Sequence, residues 1–215
     1  MRKVPFVKDE YYHIYNRGVD KRRVFMNEED FKRFIRSIKE FNSREPIGSI
    51  YLNSIEKHKL KRSTSQSLKL VEIVAYCLIP NHYHFILKEN DEGGVSEFMK
   101  RLGGGYTKYF NKKYKRSGAL FQGKFKSTHI RTDGKLWEFS AYINLNHKIH
   151  SRKYPLRRPT SQWSSWGEYV GKVSKKNSIC EKSIILSHFR SKRDYKKFAE
   201  STVKDIVERR LEMKD

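Results

Sequence analysis

The sequence predicts an α+β fold. Short β-prone runs that alternate in polarity share the chain with apolar stripes at helical spacing, and a tight turn joins two of the β runs. That pair is Val71 to Ile79 and His82 to Lys88: the first run is dense in β-branched and apolar residues, and Pro80-Asn81 supplies the turn of a hairpin. Side chains alternate along a strand, so His82 and His84 point to one face while Tyr83 and Phe85 point to the other.

The remaining elements follow in chain order. Tyr11 to Asn16 alternates and is β-prone, which predicts a first strand ending at Arg17-Gly18. His13 on that strand reads either as a solvated residue or as a third ligand, and we place it outside the site. Asn27 caps a helix whose first turn holds Glu28, Glu29 and Asp30, an acidic bias suited to the positive end of a helix dipole. Phe31, Phe34, Ile35, Ile38 and Phe41 then form one apolar stripe that packs on the sheet. From 43 to 69 the pattern fades, and so long a weakly patterned connection reads as an insertion or loop.

Val95, Phe98, Met99 and Leu102 begin a second amphipathic helix, interrupted by Gly103-Gly104-Gly105. Each glycine weakens a helix by roughly 1 kcal/mol relative to alanine, so either the helix bends there or another backbone comes close. Tyr106 to Lys115 interleaves aromatic and basic residues, which suits both nucleic-acid contact and a helix with a buried aromatic face and a solvated lysine face. Lys124, Lys126 and Thr128 alternate on one face of a further strand. Asp133 caps a helix running through Leu136, Trp137, Tyr142 and Asn146, on which Tyr142 and Asn146 are four residues apart and share a face. Trp163 to Tyr169 reads as a packed aromatic clasp, and Ser183 to Phe189 and Asp194 to Leu211 as short charged helices. We divide the chain into a domain over 1–150 and a C-terminal part over 151–215 that packs on it or extends it.

Charge narrows the function. A formal net charge of +23 over 215 residues is the footprint of a partner made of phosphates, so nucleic acid is the expected partner. Without a long apolar run or a lipidation signal no membrane is expected, and Met1-Arg2-Lys3-Val4-Pro5 is no signal peptide. These points predict a cytoplasmic protein, nucleoid-associated when bound to DNA. Cys77 and Cys180 lack metal-site spacing and predict neither a disulfide nor a zinc site. His-x-His on a strand presents two nitrogen ligands to a divalent metal, although the same spacing also serves two structural histidines satisfied by hydrogen bonds.

Five stretches together resemble the single-tyrosine HUH transposases, most closely the REP-associated tyrosine transposases. They are Tyr12 to Gly18, Pro80-Asn81-His82-Tyr83-His84, Gly118 to Ser127, Tyr142-Ile143-Asn144-Leu145-Asn146 and Trp163-Ser164-Ser165-Trp166. One position departs from the family pattern, His147, which stands where a proline usually follows the asparagine; Tyr83 is a tolerable occupant of the apolar position between the histidines. The resemblance implies an antiparallel β-sheet with packed helices, the ferredoxin-like or RRM-like HUH endonuclease fold. It implies that His82, His84 and Asn146 bind Mg²⁺ or Mn²⁺ and that Tyr142 is the nucleophile, cleaving single-stranded DNA near short hairpins through a 5′-phosphotyrosine.

Arg17, Lys124, Lys126 and Arg131, on strands or strand ends near the proposed site, are the expected DNA contacts. No Walker-type loop occurs, so no nucleotide cofactor is expected, and a monomer is expected over a homodimer. Two other readings compete: a non-catalytic nucleic-acid-binding module, and a metal-dependent nuclease that uses water in place of tyrosine.

Overall fold

The computed structural model describes residues 5–48, 50, 68–150, 163–174 and 177–212. Its centre is a four-stranded sheet of β1 (Tyr11–Arg17), β2 (Val71–Ile79), β3 (His82–Glu89) and β4 (Lys126–Ile130) in the order β2-β3-β1-β4, every neighbouring pair antiparallel. With α1 (Glu28–Phe41) between β1 and β2, and α2 (Gly94–Lys113) between β3 and β4, the chain is a βαββαβ unit. This is the α+β, ferredoxin-like architecture. The expected insertion at 43–69 lies mostly outside the described residues.

Alternation gives the sheet two different faces. Tyr83 and Phe85 take one, where Phe34 of α1 sits 5.4 Å from the Tyr83 ring and Phe98 of α2 6.5 Å from Phe85. Both helices therefore cover the face opposite the histidines. Asn27 caps α1 as its sequence predicts, and Asp30 completes the box by accepting from the Asn27 backbone. The triple glycine does not interrupt α2, which runs through it. A Cβ on Gly105 would stand 2.6 Å from the Phe41 ring, so this glycine lets the two helices close.

Asp30 also joins the helices by charge. Fully buried, it accepts from Met26 N (2.8 Å), Tyr109 Oη (3.0 Å), Tyr114 Oη (2.7 Å) and Lys113 Nζ (2.9 Å). Tyr106 and Phe110 are buried on the same side of α2, so the aromatic residues from 106 to 115 serve largely as packing, while Lys108, Lys112 and Lys115 are exposed. Burial pushes the Asp30 carboxyl up, but the bonds from Lys113, Tyr114, Met26 and Tyr109 outweigh it and hold the group below its ordinary value.

The histidine face is covered by α3 (Asp133–Asn144), with α4 (Asn146–His150) following it. Two expectations are corrected here. Thr132, not Asp133, caps α3, its hydroxyl accepting from Lys135 N at 3.3 Å. The helix also stops at Asn144, two residues short of Asn146, where Leu145 leaves helical geometry and the Asn144 amide bonds to side chains outside the helix.

Those side chains come from the C-terminal segment, which comprises α5 (Trp166–Tyr169), α6 (Ser183–Leu186) and α7 (Lys192–Glu212). The last is a 21-residue helix, longer than its sequence suggested. Tyr195 of α7 accepts from Asn144 Nδ2 (2.7 Å) and lies 3.1 Å from Ser140 Oγ. Ser165 donates to Asn144 Oδ1 while its backbone N–H bonds to Tyr76 O (2.9 Å), and Glu181 N bonds to Ile73 O (2.8 Å), so this segment lines the outer side of β2. Trp163 stacks on Phe31 at 4.8 Å. Cys77 and Cys180 are buried free thiols, and no helix among the described residues is long and apolar enough to cross a membrane.

Two outcomes are expected in denaturant titrations. Asp30→Asn loses about 2–4 kcal/mol at neutral pH, somewhat less than a fully buried pair because Lys113 is partly exposed. Because the folded carboxyl is held below its unfolded value of about 3.9, this contribution is complete above that value and is lost as pH falls through the folded value, so the gap between variant and wild type narrows in acid. Tyr195→Phe leaves Asn144 and Ser140 without their buried partner and lowers stability by about 1–3 kcal/mol.

Candidate active site

The β1–β3 register sets Tyr15 opposite His84 and Arg17 opposite His82, and β4 adds Lys126 opposite Tyr15. Residues directly opposite share a face, so these five side chains crowd one end of the sheet. Tyr142 of α3 descends on them, its ring 5.9 Å from His84 and edge-on to it. Together they line a cleft of about 320 Å³, closed by Asn16 and Gln122.

Hydrogen bonds orient both imidazoles. Asn81 donates through Nδ2 to Lys21 O (3.1 Å), which turns its Oδ1 toward His82 Nδ1 at 2.5 Å. An amide oxygen only accepts, so the His82 proton sits on Nδ1 and the lone pair on Nε2. His84 Nδ1 lies 2.9 Å from His13 Nε2, with both rings buried. Burial lowers the His13 pKa to about 4, leaving that ring neutral at pH 7. His13 is therefore buried, not solvated as its sequence position allowed; it backs His84, packed between Tyr15 and Phe139, each 5.0 Å away.

Asn146 is fully buried, and neither its Oδ1 nor its Nδ2 has a hydrogen-bond partner. It does not line the cleft. A buried amide with both ends unsatisfied is costly, and an added ligand for its oxygen would relieve the oxygen. His147 beside it has an unbonded Nδ1 and a pKa lowered to about 4, chiefly by burial. Among the described residues no three His, Cys, Asp or Glu side chains gather to hold a metal; the donors to hand are the two cleft imidazoles and, outside the cleft, the Asn146 amide. Nitrogen and oxygen donors of that kind fit a divalent ion.

The cleft thus brings together Tyr142, His82, His84, Arg17 and Lys126 from the sequence-predicted set. Lys124 precedes β4 and lines a larger groove next door. Arg131 follows Ile130, which pairs with Tyr11, and so lies about 20 Å of strand from the Arg17 end. Sequence reasoning missed Tyr15, although the period of two that pairs it with Arg17 was available. Gln122 gave no local signal: the bonds Gln122 N to Arg17 O (2.8 Å) and Val19 N to Leu120 O (3.0 Å) bring its loop to the cleft.

Residues 52–146 match the family described as transposase IS200 like. No curated protein matches. Among solved structures the chain is similar to a REP-associated tyrosine transposase bound to a REP hairpin, at 15% identity and a TM-score of 0.48, over 80% of this chain and 86% of that one. It is also similar to a transposase candidate from Deinococcus radiodurans, at 16% identity and a TM-score of 0.36, over 68% of this chain and 98% of that one. The matched span, residues 52–146, holds both cleft histidines, Tyr142 and Asn146.

Proposed function

We propose that the chain is a metal-dependent strand-transfer enzyme for single-stranded DNA, cutting near short hairpins through a 5′-phosphotyrosine at Tyr142. The observation that carries this reading is the meeting of Tyr142 with His82 and His84 in one cleft flanked by Arg17 and Lys126. The +23 net charge supports a polyanionic substrate.

In this reading Arg17 and Lys126 hold phosphates on the cleft floor while Tyr142 Oη attacks phosphorus in line. The bond from phosphorus to the 3′ oxygen breaks, the bond to tyrosine forms, and the phenolic proton ends on the departing 3′ oxygen. One phosphodiester is exchanged for another, so no nucleotide cofactor is consumed, and attack by a 3′-hydroxyl on the phosphotyrosine restores Tyr142. His82 and His84, through Nε2, and Asn146, through Oδ1, would hold Mg²⁺ or Mn²⁺, which when bound neutralises charge on the attacked phosphate. Asn81 and His13 keep the two rings in the orientation this needs. We assign residues 1–150 to the catalytic domain and 151–215 to a part that braces it, with Tyr195 and Ser165 bonding to Asn144 among the described residues.

The test is a denaturing gel of protein incubated with labelled single-stranded hairpin DNA and Mn²⁺. Wild type is expected to give a covalent protein–DNA band that disappears with chelator, and Tyr142→Phe and His82→Ala to reduce it by on the order of 10³-fold or more. Cleavage that survives Tyr142→Phe with no covalent band would instead make water the nucleophile. A separate readout needs no DNA: His13→Phe removes the partner of His84 and should weaken Mn²⁺ binding about 10–100-fold, measured by loss of the free-ion resonance in a spin-resonance titration.

A further inference from the structure

Tyr142 is not the only phenol lining the catalytic cleft; Tyr15 is the other. Its position follows from strand register. In β1 it stands opposite His84 of β3 and opposite Lys126 of β4, so its side chain rises from the sheet between an imidazole and an ammonium group. A side chain standing off a sheet carries its last atom farthest from the strand, which for Tyr15 is the phenolic oxygen. The ring beneath that oxygen is held in place. His13 lies 5.0 Å from it and His84 5.8 Å, at interplanar angles of 23° and 22°. The two imidazoles are 2.9 Å apart through their ring nitrogens and both are buried, so Tyr15 rests on a surface that is itself fixed.

The Tyr15 hydroxyl differs from those of the tyrosines in the core. Tyr106 donates to Val24 O (2.7 Å), Tyr169 to Val74 O (2.8 Å) and Tyr114 to Asp30 Oδ2 (2.7 Å), each a bond that fixes packing. Tyr15 Oη has no hydrogen-bond partner among the described residues, and neither has the Arg17 guanidinium or the Lys126 ammonium group at the same cleft. Three donors on one face are thus left for whatever occupies the cleft, and they are not equivalent. Arg17 and Lys126 are long, mobile cations, and they attract the charge that a phosphodiester bears before any attack, so much of their effect goes into binding. A donor already in place acts instead on the charge that grows on the non-bridging oxygens as the nucleophile adds, and it loses no freedom in doing so. Tyr15, with its ring packed on two buried imidazoles, is the donor of that kind.

We propose that Tyr15 is a second catalytic hydroxyl, donating a hydrogen bond to a non-bridging oxygen of the attacked phosphate while Tyr142 forms the covalent link. No bond to Tyr15 is made or broken, and its proton stays on Oη throughout. The inference rests on the catalytic reading above and deepens it by giving the strand-borne phenol a part in the reaction.

The test is a single-turnover measurement of the covalent band at saturating hairpin DNA and Mn²⁺. Tyr15→Phe keeps the ring on its imidazoles and removes only the O–H. It should slow band formation by about 10–100-fold, while hairpin affinity by fluorescence anisotropy and Mn²⁺ binding by spin resonance stay within about two-fold of wild type. A phosphorothioate at the scissile phosphate adds a second readout, because sulfur accepts hydrogen bonds weakly. In one of its two stereoisomers sulfur should slow wild type and slow Tyr15→Phe much less, since both changes remove the same bond. A wild-type rate in Tyr15→Phe overturns the proposal, as does a rate loss matched by weaker DNA or Mn²⁺ binding, or independent effects of sulfur and Tyr15→Phe in both stereoisomers. A covalent adduct on Tyr15 in Tyr142→Phe, located by peptide mass spectrometry, overturns it too by making this phenol a nucleophile. Failure of the catalytic reading shows differently, as the absence of a covalent band from wild type, and this inference falls with it.

Discussion

Everything at the cleft depends on the register of β1 against β3. Because side chains alternate with a period of two, a slip of one residue would carry His82 and His84 to the helix-packing face and bring Tyr83 and Phe85 out in their place. What forbids the slip is apolar burial: Phe34, Phe98 and Tyr106 pack as a ring cluster on the side that Tyr83 and Phe85 occupy. The chemistry of one face is thus fixed by the hydrophobic effect acting on the other.

A second layer of order is polar and buried. His13 against His84, Asn81 against His82, and Tyr195 and Ser165 against Asn144 each give an interior polar group a partner of defined direction. Such bonds add modest net stability, but each carries a large penalty if broken, so they select one arrangement among several with similar packing. Asn146 stands out against this background because its amide is buried and unsatisfied.

How much of this was legible in the sequence follows from the range of the forces involved. The β2–β3 hairpin, the Asn27 cap and the apolar stripe of α1 rest on contacts between near neighbours, and the sequence pattern predicts all three. The end of α3 does not, since Asn144 is drawn to Tyr195, 51 residues later. His13 was misread because its partner lies 71 residues away and alternation alone cannot tell a covered face from a solvated one. Lys124 and Lys126 looked equivalent until the strand was seen to begin at Lys126, putting the two in different clefts. Of the candidate site, the histidines and tyrosine were readable from motif and spacing, and the loop that closes it was not.

The C-terminal segment along β2 has a consequence for how the protein meets copies of itself. A β-sheet ends in two strands whose outward N–H and C=O groups invite another strand, and an uncovered border is the usual route to fibrils and unintended pairing. Here Ser165 and Glu181 occupy the β2 border, their backbone N–H groups bonding to Tyr76 O and Ile73 O. The opposite border, β4, is only five residues long and presents Lys126, a short charged strand of the kind that discourages such templating. A chain of net charge +23 is thereby guarded against coalescing through its own sheet.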